Sequence, residues 1–392
     1  MQVRTRLVSA SLVGIVTLVW GCSHPAPILT EVSTFEESGR DRRKGAEDGF
    51  RIAAENDDDS VNGLQSGTEE GARPGGSERW SSEARGPAPI RSQHPLVMMF
   101  LDFELRSAST QPAGQARLDA GITYTSMYQT RESEDGRTVV SYDGEWAELA
   151  LDFRYGISDR LEVFATLPFL YTTSGFLDSV VEDYHDAFNF NQDGRNMAPR
   201  DKFAVSLSRD GQSFYELEED TFGIQDMPIG LAYAVLEEDA TIPGLQIRGA
   251  LELPTGKEEF GFGNGAIDAG LGFVAEKSVG IFTFILGGDY TWIQPTDAMK
   301  DAGVELNNLL GAFFNTEVRI GSKVSGLIGL DYLSQPLANV PLAENHRDQL
   351  LLVFGGAIQF GKNATLRLDF VEDLVRDVSP DFSGRLGIQI QF

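Results

Sequence analysis

The last nine residues of the chain, 384–392, alternate in character. Leu386, Ile388, Ile390 and Phe392 fall on one side of an extended strand, and Arg385, Gly387, Gln389 and Gln391 on the other. A strand has period two, so this segment has one apolar and one polar face. The same alternation recurs upstream. Leu118, Ala120, Ile122 and Tyr124 lie opposite Arg117, Asp119 and Thr123, and Ala147, Leu149, Leu151, Phe153 and Tyr155 lie opposite Glu148, Asp152 and Arg154. Further runs fall near 160–173, 222–237, 244–255, 265–276, 280–293, 307–321, 324–334, 348–360 and 364–372, which makes about twelve. Each suffices to cross a bilayer at the usual tilt, for which roughly 9–11 residues are needed.

The connections alternate as well. Short turns are expected at 156–159, 237–243, 277–279, 321–323 and 361–363. Longer polar connections fall at 131–137, 174–221, 256–264, 294–306, 335–346 and 373–383. Short turns at one end and long loops at the other are the habit of outer-membrane barrels, and a soluble sandwich has no reason to keep that order. The pattern therefore predicts an all-β fold: a closed antiparallel transmembrane β-barrel of about twelve strands. The polar–x–Gly–x–x–apolar–x–aromatic ending, Arg385, Gly387, Ile390 and Phe392, looks like the signal read by barrel-assembly machinery. Tyr124, Tyr128, Tyr155, Tyr171, Tyr290, Trp292 and Tyr332 fall near run ends, which suits aromatic girdles against outer-membrane lipid.

A charge on the lipid side is costly, so the charged positions are expected to face the lumen. These are Arg117, Asp119, Glu148, Asp152, Arg154, Arg248, Glu252, Asp268, Glu317, Arg319, Asp331, Arg367, Asp369 and Arg385. They either line a narrow wet channel and choose its ions, or cross-pair and fill a closed barrel; the even mixture of signs favours a filled or narrow lumen. The apolar run 96–105 reads as a plug or lead-in segment.

In the longest loop, 174–221, Leu177, Val180, Val181, Tyr184 and Phe188 have helical spacing, and a short amphipathic helix is expected in this outer loop. Its polar side presents Asp178, Glu182, His185 and Asp186. Glu182 and His185 stand three apart, a spacing used for metal ligation. With no second such pair elsewhere, a solvated face on a helix capping the barrel mouth is the preferred reading, and no metal or other cofactor is assigned.

Ahead of the strands, residues 1–22 read as an export signal, with Arg4 and Arg6 before the apolar run Leu7–Trp20. The only cysteine, Cys22, ends a box resembling that of lipoproteins, where it would carry the lipid; ordinary cleavage nearby is the alternative. Residues 23–93, with Arg42-Arg43-Lys44, Asp57-Asp58-Asp59 and Pro87-Ala88-Pro89, have few large apolar side chains and read as a disordered tether on the periplasmic side. The barrel is then expected over 94–392.

Composition adds exclusions. A net charge of −27 argues against nucleic acid as a partner. One cysteine permits no internal disulfide, and the four histidines are scattered without zinc spacing. No phosphate-binding Gly-rich loop or nucleophile elbow is present. No catalytic residue is assigned, and an outer-membrane lipid hydrolase is the least favoured class.

From His94 to Phe392 the chain resembles an uncharacterised family of proteobacterial outer-membrane β-barrels, domain of unknown function 3187. The resemblance rests on His94-Pro95-Leu96, Gly175-Phe176-Leu177-Asp178 leading into His185-Asp186-Ala187-Phe188, and Gly194-Arg195. It also rests on Gly223-Ile224-Gln225-Asp226, Leu253-Pro254-Thr255-Gly256, Gly263-Asn264-Gly265 with Asp268, and Ser379-Pro380-Asp381-Phe382. It implies a barrel in the outer membrane of a Gram-negative bacterium and supplies no activity. The function expected is a narrow channel or transport pore for a small solute or ion of unknown identity. The competing class is a non-conducting structural or surface-binding barrel acting through loop 174–221, which a lumen blocked by paired side chains or by residues 96–105 would favour.

Overall fold

The structure, a computed structural model, describes residues 84–188, 194–340, 347–375 and 378–392, without the side chains of Tyr184, His185 and Phe188. The expected export signal, Cys22 and the tether as far as residue 83 lie outside the described residues.

Among the described residues fifteen strands are present: β1 (Ala116–Glu132), β2 (Thr138–Ser158), β3 (Leu161–Thr173), β4 (Ala204–Arg209), β5 (Gln212–Leu217), β6 (Phe222–Ile224), β7 (Met227–Leu236), β8 (Gly244–Leu253), β9 (Asp268–Val279), β10 (Phe282–Trp292), β11 (Leu309–Ile320), β12 (Val324–Leu333), β13 (Gln349–Phe360), β14 (Ala364–Asp373) and β15 (Phe382–Gln391). Twelve of them, β1–β3 and β7–β15, close into an antiparallel barrel. The seam joins first to last, with Arg117 opposite Gln391 and Tyr124 opposite Gly384. Closure leaves no strand edge in the bilayer, where unpaired backbone groups would find no water. The wall passes from β3 to β7, and above that contact β3 pairs with β6.

Five short turns gather at one end of the barrel together with Phe392, as the alternation predicts. Two corrections are needed. At 156–159, Gly156, Ile157 and Ser158 finish β2 and the turn is Asp159-Arg160, with Ser158 paired to Leu161. At 277–279, Lys277, Ser278 and Val279 finish β9, and the turn itself is Gly280-Ile281, with Val279 paired to Phe282. Gly280 has φ 62°, and two-residue hairpin turns of the favoured primed types need a positive φ at that first position.

Alternation sets the two surfaces. Ile122, Phe153, Leu251, Leu271, Leu286, Phe314, Leu366 and Leu386 are exposed on the outside, an apolar band for lipid. Asp119, Glu148, Asp152, Arg154, Arg248, Glu252, Glu317, Arg367, Asp369 and Arg385 are buried inside. No described helix is long and apolar enough to cross a membrane, so the strands do the crossing. Beyond the wall, β4 pairs with the long-loop end of β2 and turns back into β5. Among the described residues two α-helices are present, α1 (Asp178–Phe188) and the single turn α2 (Asp297–Asp301).

Candidate functional site: a filled lumen

The inside of the barrel is occupied by the chain's own residues 84–115. This corrects the tether boundary: residues 84–93 are ordered and, from Gly86 on, buried within the barrel. The segment rises from the short-turn end. Arg85 there donates to Ser325 Oγ (2.8 Å) and to the Ser322 carbonyl (2.8 Å), and its backbone N–H to Glu317 (3.0 Å). It turns over in a short 3-10 element, Val97–Met99, near the long-loop end. It then descends, and the Thr110 hydroxyl donates to the Asp159 carbonyl of the β2–β3 turn (2.9 Å). β1 follows directly.

Charges on the segment answer charges on the wall. Arg91 donates to Glu148 through Nε (2.8 Å) and its terminal nitrogen (2.5 Å), and Gln93 donates to the other oxygen of that carboxylate (2.6 Å). Asp152 accepts from Arg106 of the segment (2.5 Å), from Arg154 beside it (2.6 Å) and from Thr166 (3.1 Å). Arg248 donates to the Glu104 carbonyl (2.8 Å), lies 4.6 Å from the Phe103 ring centre and faces Asp289 (3.7 Å). Arg367 donates to the Gly86 carbonyl (3.3 Å) and to Asp369 (3.4 Å). These groups are far from water, and burial of a charge is tolerated only when it is paired and hydrogen-bonded. Both oxygens of Glu252 are buried with no hydrogen-bond partner.

Arg385, singled out in the assembly signal, points inward and pairs with Asp119 (2.5 Å) across the β15–β1 seam. Its guanidinium lies flat on Gly121 and Gly387, where an added Cβ would come within 2.2 and 2.3 Å of it. Arg117 and Arg319 do not line the constriction. They border a cavity of about 440 Å³ at the short-turn end, with Arg85, Glu238 and Glu276. At mid-height a void lined by Arg91, Glu104, Arg106, Glu148, Phe103 and Phe164 among others measures about 30 Å³. That is room for a water or two and not for a solute.

The top of the segment is capped. Leu96, Val97, Met98, Met99 and Phe100 are at most 2% exposed and pack with Tyr142, Trp146, Val205, Leu207, Tyr215, Phe262, Met299 and Leu337. The Tyr215 hydroxyl donates to the Pro95 carbonyl (2.8 Å), and His94 meets Tyr142 edge-on. The β4–β5 hairpin that supplies part of this cap is tied down at its tip, where Arg137 binds Asp210 through two 2.7 Å hydrogen bonds. Those bonds hold the Asp210 carboxyl below the usual carboxylate range.

The family-like motifs converge in two places. Around Asp226, the Gly256 and Asn264 backbone N–H groups donate to its carboxylate (2.7 and 3.0 Å), Thr255 donates to the Gln225 carbonyl (2.8 Å), and Asn264 donates to Asp268 (2.9 Å). From this knot Gln225 accepts from Arg91 (2.8 Å) and Asp268 from the Leu101 N–H (3.4 Å), so the loops grip both arms of the segment. Gly263 is required here, since a Cβ would lie 2.2 Å from Asp226. Replacing Asp226 by alanine is expected to cost about 1–3 kcal/mol for each donor left unsatisfied. Faster proteolysis within 254–267 would show it, and unchanged protection would refute it.

The second convergence lies outside the wall. Tyr124 and Ser126 of β1 and Glu145 of β2 have the parity of the lipid-facing residues. Glu145 accepts from the Tyr124 hydroxyl (2.6 Å) and from the Phe176 and Leu177 N–H groups (3.1 and 2.6 Å). Arg195 joins Asp178 (2.7 Å), Asp381 (2.6 Å) and Ser126 (3.2 Å). Helix α1 is thus strapped to the outer face of β1 and β2, which corrects the expectation that it caps the barrel mouth. Glu182 is buried and bound by Arg200, Asp186 is exposed, and among the described residues no group of acids, histidines or cysteines is arranged to hold a metal.

Fold and site together define a twelve-stranded transmembrane β-barrel whose lumen is filled by its own N-terminal segment. The chain belongs to the family described as "Protein of unknown function (DUF3187)", whose model matches residues 78–392. No curated protein matches it. Among solved structures it is similar to an outer-membrane channel from Pseudomonas putida F1, at 16% identity and a TM-score of 0.49, covering 73% of this chain and 98% of that one. It is also similar to the KdgM porin, at 9% identity and TM-score 0.36 over 70% and 99% of the two chains. A third is the CymD monoaromatic hydrocarbon channel, at 12% identity and TM-score 0.33 over 72% and 89%.

Proposed function

We propose that the protein is an outer-membrane transport barrel that rests closed, with residues 84–115 as its plug and the short-turn end in the periplasm. One observation carries this reading. Between residues 84 and 112, among the described residues, no backbone group of the segment hydrogen-bonds to the backbone of a barrel strand. Side chains hold it, and the wall behind it sets charged groups such as Glu148, Asp152 and Arg248 beside apolar ones such as Val274, Ile285 and Phe313. A permanent filler would be expected to pair its backbone with the wall, as β4 pairs with β2. A segment held by separate side-chain contacts, without a strand ladder, can leave them one at a time, and the charged groups it uncovers are ones that water wets, as in open barrels.

The test is conductance in a planar bilayer, comparing the intact protein with a variant lacking 84–105. The intact protein is expected to pass no steady current and the deletion to conduct. Steady current through the intact protein would refute resting closure. Silence in both would overturn transport and leave a non-conducting barrel that acts through its outer loop, 174–221.

A further inference from the structure

The straps on the outside of the wall place helix α1 at a particular depth. Tyr124 of β1 is directly opposite Ala147 of β2, and Ala147 is directly opposite Tyr171 of β3. Below this row the outward positions are apolar, with Ile122, Leu149 and Phe169. Above it they turn polar, with Ser126, Glu145 and Thr173. Tyrosines at such a change of character mark the boundary between hydrocarbon and headgroups. Glu145, one outward position above the row, receives the N–H groups of Phe176 and Leu177.

The segment held at that level is apolar where it faces away from the protein. The Phe176 ring sits 5.5 Å from that of Tyr124, yet Phe176 remains 66% exposed and Val180 54% exposed. Val181 is buried against the protein, while Asp183 and Asp186 are exposed. Exposed apolar groups on a soluble surface need no account when scattered, but Phe176 adjoins the lipid-facing band at Tyr124, and Val180 lies one helical turn beyond it.

We infer that residues 176–188 form a foot resting in the headgroup layer of the outer leaflet, with Phe176 and Val180 reaching the apolar edge of the bilayer. The occupant of this face is lipid. Its chemistry suits a helix lying in the interface plane, with apolar groups toward the acyl chains and acids toward water. The inference does not depend on transport and stands if the barrel never conducts.

The test uses nitroxide labels on single cysteines in a Cys22→Ser background, in the protein reconstituted in bilayers. The substitutions are Phe176→Cys, Val180→Cys and Asp183→Cys, with Leu271→Cys as a lipid-facing reference. Labels at 176 and 180 are expected to collide several-fold more with oxygen than with a water-soluble nickel chelate, as at 271, and the label at 183 the reverse. A water-favouring ratio at 176 and 180 would overturn the inference. So would labels there that are immobile and shielded from both reagents, which would mean a second copy or another protein covers the face. Because substitutions can disturb folding, a second measurement uses the unmodified protein in vesicles containing phosphatidylcholine with a photoreactive diazirine near its headgroup. Cross-links within 174–181 are expected alongside those on β3, and cross-links on β3 alone would refute the foot.

Discussion

Replacing Asp152 by alanine will unseat the descending arm of the plug. The carboxylate is the one acceptor shared by Arg106, Arg154 and Thr166. Both arginines are about 95% shielded from water. Without it, two buried guanidinium groups are left facing each other, and breaking a buried pair by removing one partner costs about 3–5 kcal/mol. Some of that cost is relieved if Arg106 swings out and takes the arm with it, so the variant is expected to show intermittent current where the parent shows none. Asp152→Asn keeps the shape and one acceptor and should fall between the two. A variant with the parent's denaturation midpoint and electrical silence would mean that Glu104, 3.6 Å from Arg106, carries the pair alone.

The second large effect lies at the seam. Valine at Gly121 would put a Cβ 2.2 Å from the Arg385 guanidinium, with two further methyls beyond it. Arg385 cannot retreat the other way, because Gly387 already lies flat against it. It must leave Asp119, and a loss of about 3–5 kcal/mol is expected from the stranded partners. The strain falls where first and last strands meet, so the folded, heat-modifiable form on a gel should drop sharply in yield. Gly121→Ala should do less, and Gly326→Ala, where an added Cβ meets nothing within 4 Å, should do nothing. Equal yields for Gly121→Val and the parent would refute the packing argument.

Much of this was legible in the sequence for one physical reason: a barrel wall has two solvents, and period two writes both on every strand. The strand number, the order of short and long connections and the inward parity of Glu148, Asp152 and Arg154 all follow from it. The N-terminal boundary did not. Residues 84–93 look like a tether because Arg85, Pro87, Pro89 and Arg91 bury little apolar surface of their own. Composition measures a segment's own hydrophobicity, and this one is ordered by partners on the wall, some of them hundreds of residues away, Glu317 among them. The mixed signs of the lumen charges predict that they answer one another, and Asp119–Arg385, Asp152–Arg154 and Arg367–Asp369 do, but Glu148 is answered by Arg91 of the plug, and Asp152 takes Arg106 of the plug as well. The position of α1 left a trace that spacing alone could not decode. Glu145 falls on the lipid parity of β2, in register with Leu149 and Phe153, where a bare carboxylate would be costly.

One consequence of the plug's path concerns topology and folding order. Its two roots, near Arg85 and Gln115, lie at the same end of the barrel. The segment is therefore a bight pushed into a ring, not a thread drawn through it. A thread must be in place before the ring closes, whereas a bight can enter or leave a finished ring with both ends free of the hole. Barrel closure and plug insertion are thus separable events, and the wall can be complete and membrane-embedded while its filling is still outside.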